Sequence, residues 1–299
     1  MDQLLAIRSF ARVAETRSFT KAADSLDMPK ATISKLIRNL EAHLGLRLLQ
    51  RTTRRVTVTA DGNSYYEQTA HLLRELDDID SNLAGAHVKP KGQIRVNVAS
   101  VPACWLIIPA LGRFYERYPD MQIDLGVGDR TVDLIGENVD CVIRGGPITH
   151  NSDVARLLGT ASWTTCASPA YLRQHGTPKH PNDLLNGHRI VGYHSALTGR
   201  PLPSQFVRKG EVIEIDGPYR ISVNDGSARV AAGLAGLGIM QTFTYAVKAQ
   251  LECGELVPIM RDWTPARYPF NVVYPPNRKL SIRVRTFIDW LLEIFESLD

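Results

Sequence analysis

Between Ser18 and Arg55 the chain reads SFTKAADSLDMPKATISKLIRNLEAHLGLRLLQRTTRR, and few folds accommodate that pattern. Two short amphipathic segments meet at Asp27-Met28-Pro29. Phe19, Ala22, Ala23 and Leu26 form the apolar stripe of the first, and Ile33, Leu36, Ile37 and Leu40 that of the second. Both recur at three- and four-residue steps, so each buries one face of a helix. Ala22 and Ala23 are small enough for a close crossing, and Pro29 suits the first turn of the second helix. Opposite that stripe stand Lys30, Thr32, Ser34, Lys35 and Arg38, groups that can meet phosphates and base edges in a major groove. A basic segment with Arg51, Thr53, Arg54 and Arg55 leads into the alternating Val56-Thr57-Val58-Thr59, which reads as a wing. A helix pair with a tight turn and a basic wing makes a winged helix-turn-helix, whose expected partner is double-stranded DNA.

The charge distribution agrees. The net charge is only +4, yet residues 1–60 hold 11 of the 35 Lys and Arg and only 5 of the 31 Asp and Glu. Positive charge is confined to the N-terminal part, the footprint of a nucleic-acid-binding module joined to a neutral one. At 299 residues and 44% hydrophobic, the chain exceeds one typical domain. No run of ~20 apolar residues suggests a membrane span, and Asp2, Arg8 and Arg12 interrupt any signal core, so a cytoplasmic location is expected. Cys104, Cys141, Cys166 and Cys253 are scattered without a Cys-x-x-Cys pair, as free thiols would be.

The runs Ser18-Phe-Thr-Lys-Ala-Ala23 and Leu36 to Arg51, with Leu40-Glu41 and Leu44-Gly45 inside the second, resemble the DNA-binding domain of LysR-type transcriptional regulators. The family commonly opens its recognition helix with Ser-Gln-Pro-Ala, where this chain has Pro29-Lys30-Ala31-Thr32. Asp140 to Pro147, Val154 to Gly159 and Ala232 to Ile239 are similar to runs in the effector-binding half of the same family. The resemblance implies a C-terminal half of two α/β lobes like periplasmic solute-binding proteins, with the last strand and helix returning to the first lobe. It also implies a dimer or dimer of dimers on an operator of approximate dyad symmetry, and RNA polymerase as a further partner.

In chain order, Asp2 can cap an opening helix carrying Ile7, Phe10, Val13 and Ala14. Thr59-Ala-Asp-Gly62 is a loop and helix-start signal. After it Tyr65, Thr69, Leu72, Leu76, Ile79, Leu83 and Ala86 follow a 3.5-residue period, a coiled-coil seam. A helix from Gly62 to Ala86 would run roughly 37 Å; the seam residues Tyr65, Leu72, Leu76, Ile79 and Leu83 are the expected dimer contacts. Lys89-Pro-Lys-Gly92 marks a hinge. Strands at Ile94–Val98, Met121–Val127 and Asp140–Arg144 alternate with helices around Ile108–Phe114 and Val132–Ile135, which implies a parallel sheet. Further strands are expected at Trp163–Cys166, Arg189–Tyr193, Tyr219–Val223, Ile239–Thr242 and Phe270–Tyr274. A hairpin pairs Gln205–Arg208 with Glu211–Ile215, and helices fall at Pro169, Ser227–Leu237, Tyr245–Glu252 and Ile282–Leu298. The expected division is 1–60 for DNA binding, 61–88 for pairing, 91–160 with 268–299 as one lobe and 161–267 as the other.

Open α/β sheets take ligands beyond the carboxyl ends of their strands. The polar residues there are Ser100, Asp129, Arg130, Arg144, Asn224, Asp225, Gln241 and Thr242, with Val101 beside Ser100. Helix starts after Ser100 and Asn224 would offer free N–H groups to a carboxylate, so a small organic anion is the expected effector. Arg144 ends an apolar strand before flexible Gly145-Gly146; its anionic partner is either such a ligand or internal Asp129 or Asp225. Nothing points to catalysis. Ser18 and Lys21 match a penicillin-binding spacing but fall in the helix pair, and the glycines at 233, 236 and 238 lack dinucleotide spacing. His43, His71, His87, His150, His175, His180, His188 and His194 show no metal-ligand pairing, so neither cofactor nor metal is expected. The alternative is a DNA-binding regulator whose C-terminal half only oligomerises, or senses redox state through Cys104 or Cys141.

Overall fold

The computed structural model describes residues 2–51, 56–83, 89–130, 132–134, 136–137, 139–146, 154–195, 198–275, 280–296 and 298; for residues 51, 71, 74, 75, 77, 78 and 80–83 it describes the backbone alone. The chain divides into two compact units, Met1–Val88 and Lys89–Asp299.

In the first unit, α1 (Gln3–Thr16) starts where the Asp2 carboxylate accepts the Leu5 N–H at 3.0 Å. Ser18 caps α2 (Phe19–Ser25) in the same way, and α3 (Lys30–Leu44) ends at Gly45 in the left-handed region. The turn between α2 and α3 is held by Asp27 at φ 50° and by the Met28 N–H on the Ala23 carbonyl. Pro29 is the residue before α3 rather than part of its first turn: its backbone is extended, and its carbonyl accepts from Thr32 and Ile33. Phe10, Phe19, Ala22, Ile33, Ile37 and Leu40 close one core. β1 (Leu49–Arg51) and β2 (Val56–Val58) pair antiparallel. The Glu41 carboxylate ties them to α3 by accepting the Leu48 and Leu49 N–H groups at 2.9 and 3.1 Å. Then α4 (Ala60–Leu83) begins, capped by Thr59, which accepts the Gly62 N–H at 2.9 Å. Gly62 is therefore helical, not loop: a Cβ there would lie 2.1 Å from the Leu48 carbonyl oxygen, so only glycine lets α4 approach β1.

The second unit opens with β3 (Gly92–Val98), α5 (Ser100–Pro102), a π-helical segment (Ala103–Ile107), α6 (Ile108–Arg117), β4 (Met121–Val127), β5 (Cys141–Gly145) and β6 (Val154–Ala161). There follow β7 (Trp163–Ala167), α7 (Pro169–His175), a 3-10 turn (Pro181–Leu185), β8 (Gly192–His194), β9 (Pro201–Leu202), β10 (Ser204–Arg208) and β11 (Glu211–Ile215). The chain then forms β12 (Ser222–Val223), α8 (Gly226–Leu234), β13 (Met240–Phe243), a 3-10 turn (Thr244–Val247), α9 (Lys248–Glu252) and β14 (Val257–Pro258). It ends with β15 (Tyr268–Tyr274) and α10 (Ile282–Phe295).

One five-stranded sheet runs β4-β3-β5-β15-β6. It is mixed where the sequence pattern implied parallel: β3 pairs parallel with β4 and β5, but β15 returns antiparallel between β5 and β6. Phe114, Phe287 and Trp290 pack over this sheet, with ring centroids 4.9 to 5.8 Å apart. The other lobe holds an antiparallel sheet β13-β7-β14 and a small one, β12-β8-β9, bridged at Ile190 and Ile239. The hairpin β10-β11 turns at Lys209 and Gly210, both at positive φ, as a two-residue hairpin turn needs.

Five elements depart from expectation. The strand expected at Arg189–Tyr193 is an isolated bridge at Ile190 followed by β8 from Gly192. The described residues of 132–137 form a turn, because the Asp133 carboxylate accepts the Gly136 N–H and competes with a helix. The helix expected over Ser227–Leu237 stops at Leu234, where Gly236 turns left-handed. Tyr245–Glu252 starts as a 3-10 turn, and the strand at Tyr219–Val223 shrinks to its last two residues. Ile108, expected on a buried stripe, is 46% exposed.

Candidate functional site

Along α3, Ile33, Ile37 and Leu40 are buried while Lys30, Lys35 and Arg38 are exposed and Thr32 and Ser34 half-buried. The helix thus presents a cationic, hydroxyl-bearing face away from its core. Among the described residues neither Lys30 nor Lys35 joins an ion pair, and the Arg38 guanidinium only donates to the Ser34 carbonyl. Thr53, Arg54, Arg55 and the side chain of Arg51 lie outside the described residues. On α4, Tyr65 packs its ring 5.9 Å from Phe10 of its own unit, so it belongs to the internal core and not to a free seam. Leu72 and Ile79 are 62% and 55% exposed, Leu76 is half-buried, and the side chain of Leu83 is outside the described residues.

The second unit holds a half-open cavity of about 380 Å³. Arg144, at the end of β5, reaches it with a guanidinium that donates to the Asn97 side-chain oxygen at 2.5 Å, the Arg130 carbonyl at 2.8 Å and the Ile143 carbonyl at 3.0 Å. Burial lowers its pKa, and the Asp129 carboxylate nearby opposes that. Asp129 accepts three donors: the Ser100 N–H at 2.9 Å, the Gly226 N–H at 2.9 Å and the Tyr193 hydroxyl at 2.8 Å. The first lies at the start of α5 and the other two in the opposite lobe. Burial and this carboxylate push the Tyr193 phenol up. Ser100 adds a second tie by accepting the Ser227 N–H at 3.2 Å.

On the far wall, Arg229 of α8 is buried. It donates to the Val191 carbonyl at 3.2 Å and the Ser204 hydroxyl at 3.3 Å, and lies 5.6 Å from the Tyr193 ring centroid. Burial pulls its pKa down to about 10, so it stays cationic at neutral pH. Gln241 and Thr242 of β13 also line the cavity, the Gln241 amide donating to the Gln205 carbonyl at 2.9 Å. The apolar wall is aromatic: Trp163 and Phe243 stand 4.3 Å apart, with Tyr268 and Phe270 within 5.5 Å of Phe243. Gly145 and Gly146 make room for Tyr268, since a Cβ on Gly145 would lie 2.3 Å from its ring. These glycines serve close packing, not the flexibility the sequence suggested.

A family model for the bacterial regulatory helix-turn-helix protein of the lysR family matches residues 4–63, and one for the LysR substrate binding domain matches 87–296. The chain belongs to the LysR family. It is 37% identical, over 99% of its length and 93% of the relative's, to an HTH-type transcriptional repressor of Pseudomonas aeruginosa. It is 29% identical to the HTH-type transcriptional activator AaeR of Escherichia coli, over 99% and 94%. Among solved structures it resembles CrgA, a LysR-type regulator from Neisseria meningitidis, at 28% identity, with 98% of each chain covered and a TM-score of 0.63. The full-length Vibrio cholerae virulence activator AphB gives 28%, 97% and 98%, and 0.60. This LysR-type protein is thus a DNA-binding transcriptional regulator with a substrate-binding domain; the family binds DNA and small-molecule effectors and forms oligomers.

Of the residues expected at the effector site in this regulator, Val101, Asp129, Arg144, Gln241 and Thr242 line the cavity. Ser100 sits just behind, its N–H and hydroxyl both engaged. Three others do not join them. Arg130 points to Glu137 in an exposed pair, Asn224 is exposed, and Asp225 caps α8 by accepting the Ala228 N–H. The sequence reading missed Tyr193, Arg229 and the aromatic wall. A single Arg inside the small-residue helix of 226–234 was the one signal available. Of the thiols, Cys141 and Cys166 are buried and their pKa values raised, Cys166 to about 12, which leaves both protonated and unreactive; Cys104 and Cys253 are exposed. Among the described residues no helix is long and apolar enough to cross a membrane, and no His, Cys, Asp and Glu group could hold a metal.

Proposed function

We propose that this regulator reads a dyad-symmetric operator by laying α3 in a major groove, pairs through α4, and answers to a small organic anion held in the cavity of its second unit. Residues 1–60 act as the DNA-binding domain and 61–88 as the pairing helix. Residues 91–160 with 268–299, and 161–267, act as the two effector lobes. It works in the cytoplasm, where the DNA and RNA polymerase are, and it catalyses no reaction. The observation that carries this reading is the face of α3: Lys30, Lys35 and Arg38 stand opposite the buried stripe, with no carboxylate among the described residues paired to them. Lys30, Thr32 and Lys35 reach base edges, while Arg51, Thr53, Arg54 and Arg55 of the wing hold phosphates.

Lys30→Ala tests it. A base contact is worth about 1–3 kcal/mol of discrimination, whereas a phosphate contact weakens all sequences alike and reduces the salt slope. Binding-site selection in wild type and Lys30→Ala should give different preferred operators. An unchanged preference rejects Lys30 as a base reader.

A further inference from the structure

We infer that the cavity of the second unit is built for an aromatic monoanion, with its ring against Trp163 and Phe243 and its anionic head on Arg229. The inference rests on the effector reading above and gives that effector a chemical class.

Charge comes first. The described residues lining the cavity include two guanidiniums, Arg144 and Arg229, and one carboxylate, Asp129. Asp129 lies close enough to Arg144 to oppose the lowering of its pKa, and all three Arg144 contacts are to neutral oxygens. That end is balanced. Arg229 is buried on the other wall and, among the described residues, meets only a carbonyl, a hydroxyl and a ring face. A buried guanidinium without a carboxylate leaves one positive charge in a low-dielectric site, which a monoanion would neutralise.

Position comes second. The start of α5 and the start of α8 would ordinarily attract a ligand carboxylate. Here Asp129 already accepts the Ser100 and Gly226 N–H groups. The chain's own carboxylate fills that seat, so a ligand anion has Arg229 as its remaining cationic partner.

Shape comes third. At about 380 Å³ the cavity falls near the small end of the roughly 300–1,000 Å³ range of ligand sites, suited to one or two rings. Trp163, Phe243, Tyr268 and Phe270 give one wall ring faces and edges, which a planar ring meets offset or edge-on.

The test is calorimetric titration and thermal melting of the full chain with benzoate, its neutral isostere benzamide, the saturated cyclohexanecarboxylate, and succinate. Benzoate should bind and raise the melting midpoint. It should bind at least about tenfold tighter than benzamide and about two- to tenfold tighter than cyclohexanecarboxylate. Arg229→Gln should remove most of the preference for benzoate over benzamide, and Arg229→Lys should restore part of it. Because the wild-type comparison needs no variant, misfolding of Arg229→Gln leaves the proposal testable. Equal binding of benzoate and benzamide overturns the anion site, and equal binding of cyclohexanecarboxylate overturns the aromatic one. Binding of succinate without benzoate overturns the class while the effector reading stands. Silence from all four probes overturns the aromatic-monoanion class.

Discussion

At the scale of single residues, His188 shows how burial sets a pH limit. Its ring is buried, with Nδ1 3.4 Å from the Tyr171 hydroxyl, and Tyr171 stacks on His175. Burial, then the His175 charge, lowers its pKa, and Asp183 only partly opposes this. The folded chain therefore disfavours protonation at 188 relative to the unfolded chain. The stability this contributes is complete above the ordinary histidine value of about 6.5 and is lost as pH falls through the lower folded value. The urea midpoint of wild type should drop between pH 7 and pH 5, and His188→Gln should flatten that drop. An identical pH profile would mean that other groups govern it. Residues were also the least legible scale. The stripe of α3 could be read because burial repeats there, but Arg229 and Tyr193 act singly, brought to the cavity by a crossing chain that no periodicity marks. Asp129 was placed near the site, yet its partner Gly226 stands 97 residues away.

At the scale of elements, legibility followed pattern strength. The helix pair, the β10-β11 hairpin and the paired caps of α1 and α2 each carry a local code of spacing, turn residues or cap. β6 carries none: its exposure does not alternate, and it was recognised only as a family run rather than as a strand. The described residues of 132–137 show the reverse, an expected helix replaced where Asp133 makes its own local bond. Gly62 joins two elements, and its replacement is the sharpest test of their packing. In Gly62→Ala the new Cβ would press on the Leu48 carbonyl, which is backbone and cannot rotate away. Overpacking of this kind costs about 1–3 kcal/mol, more than the roughly 1 kcal/mol of helix propensity that alanine adds. Amide exchange at Leu48 and Leu49 should quicken by roughly tenfold while that of the second unit stays as it was. Unchanged exchange there would show that α4 can shift without loss.

At the scale of the whole molecule, the exposed side chains of α4 set an expectation for assembly. Leu72 and Ile79 leave large apolar side chains in water on a helix whose first turns are already committed to their own unit. A second copy of α4 would cover them at coiled-coil spacing. Leu72→Asp should shift sedimentation towards the monomer and weaken operator binding at least about tenfold, while Val212→Asp, a charge placed on the equally exposed hairpin, should change neither. If Leu72→Asp keeps both its assembly and its affinity, the chains pair elsewhere.

The position of β15 also governs the order in which the protein is made. β5 and β6 are synthesised early, but the strand that belongs between them follows only after the entire second lobe. At about 5–20 residues per second the nascent chain waits on the order of ten seconds with those two edges open. Open strand edges pair readily with whatever is near, so the second lobe must emerge and fold while the first is held incomplete. The helix-turn-helix unit, finished before any of this begins, can be competent for DNA while its sensor is still on the ribosome.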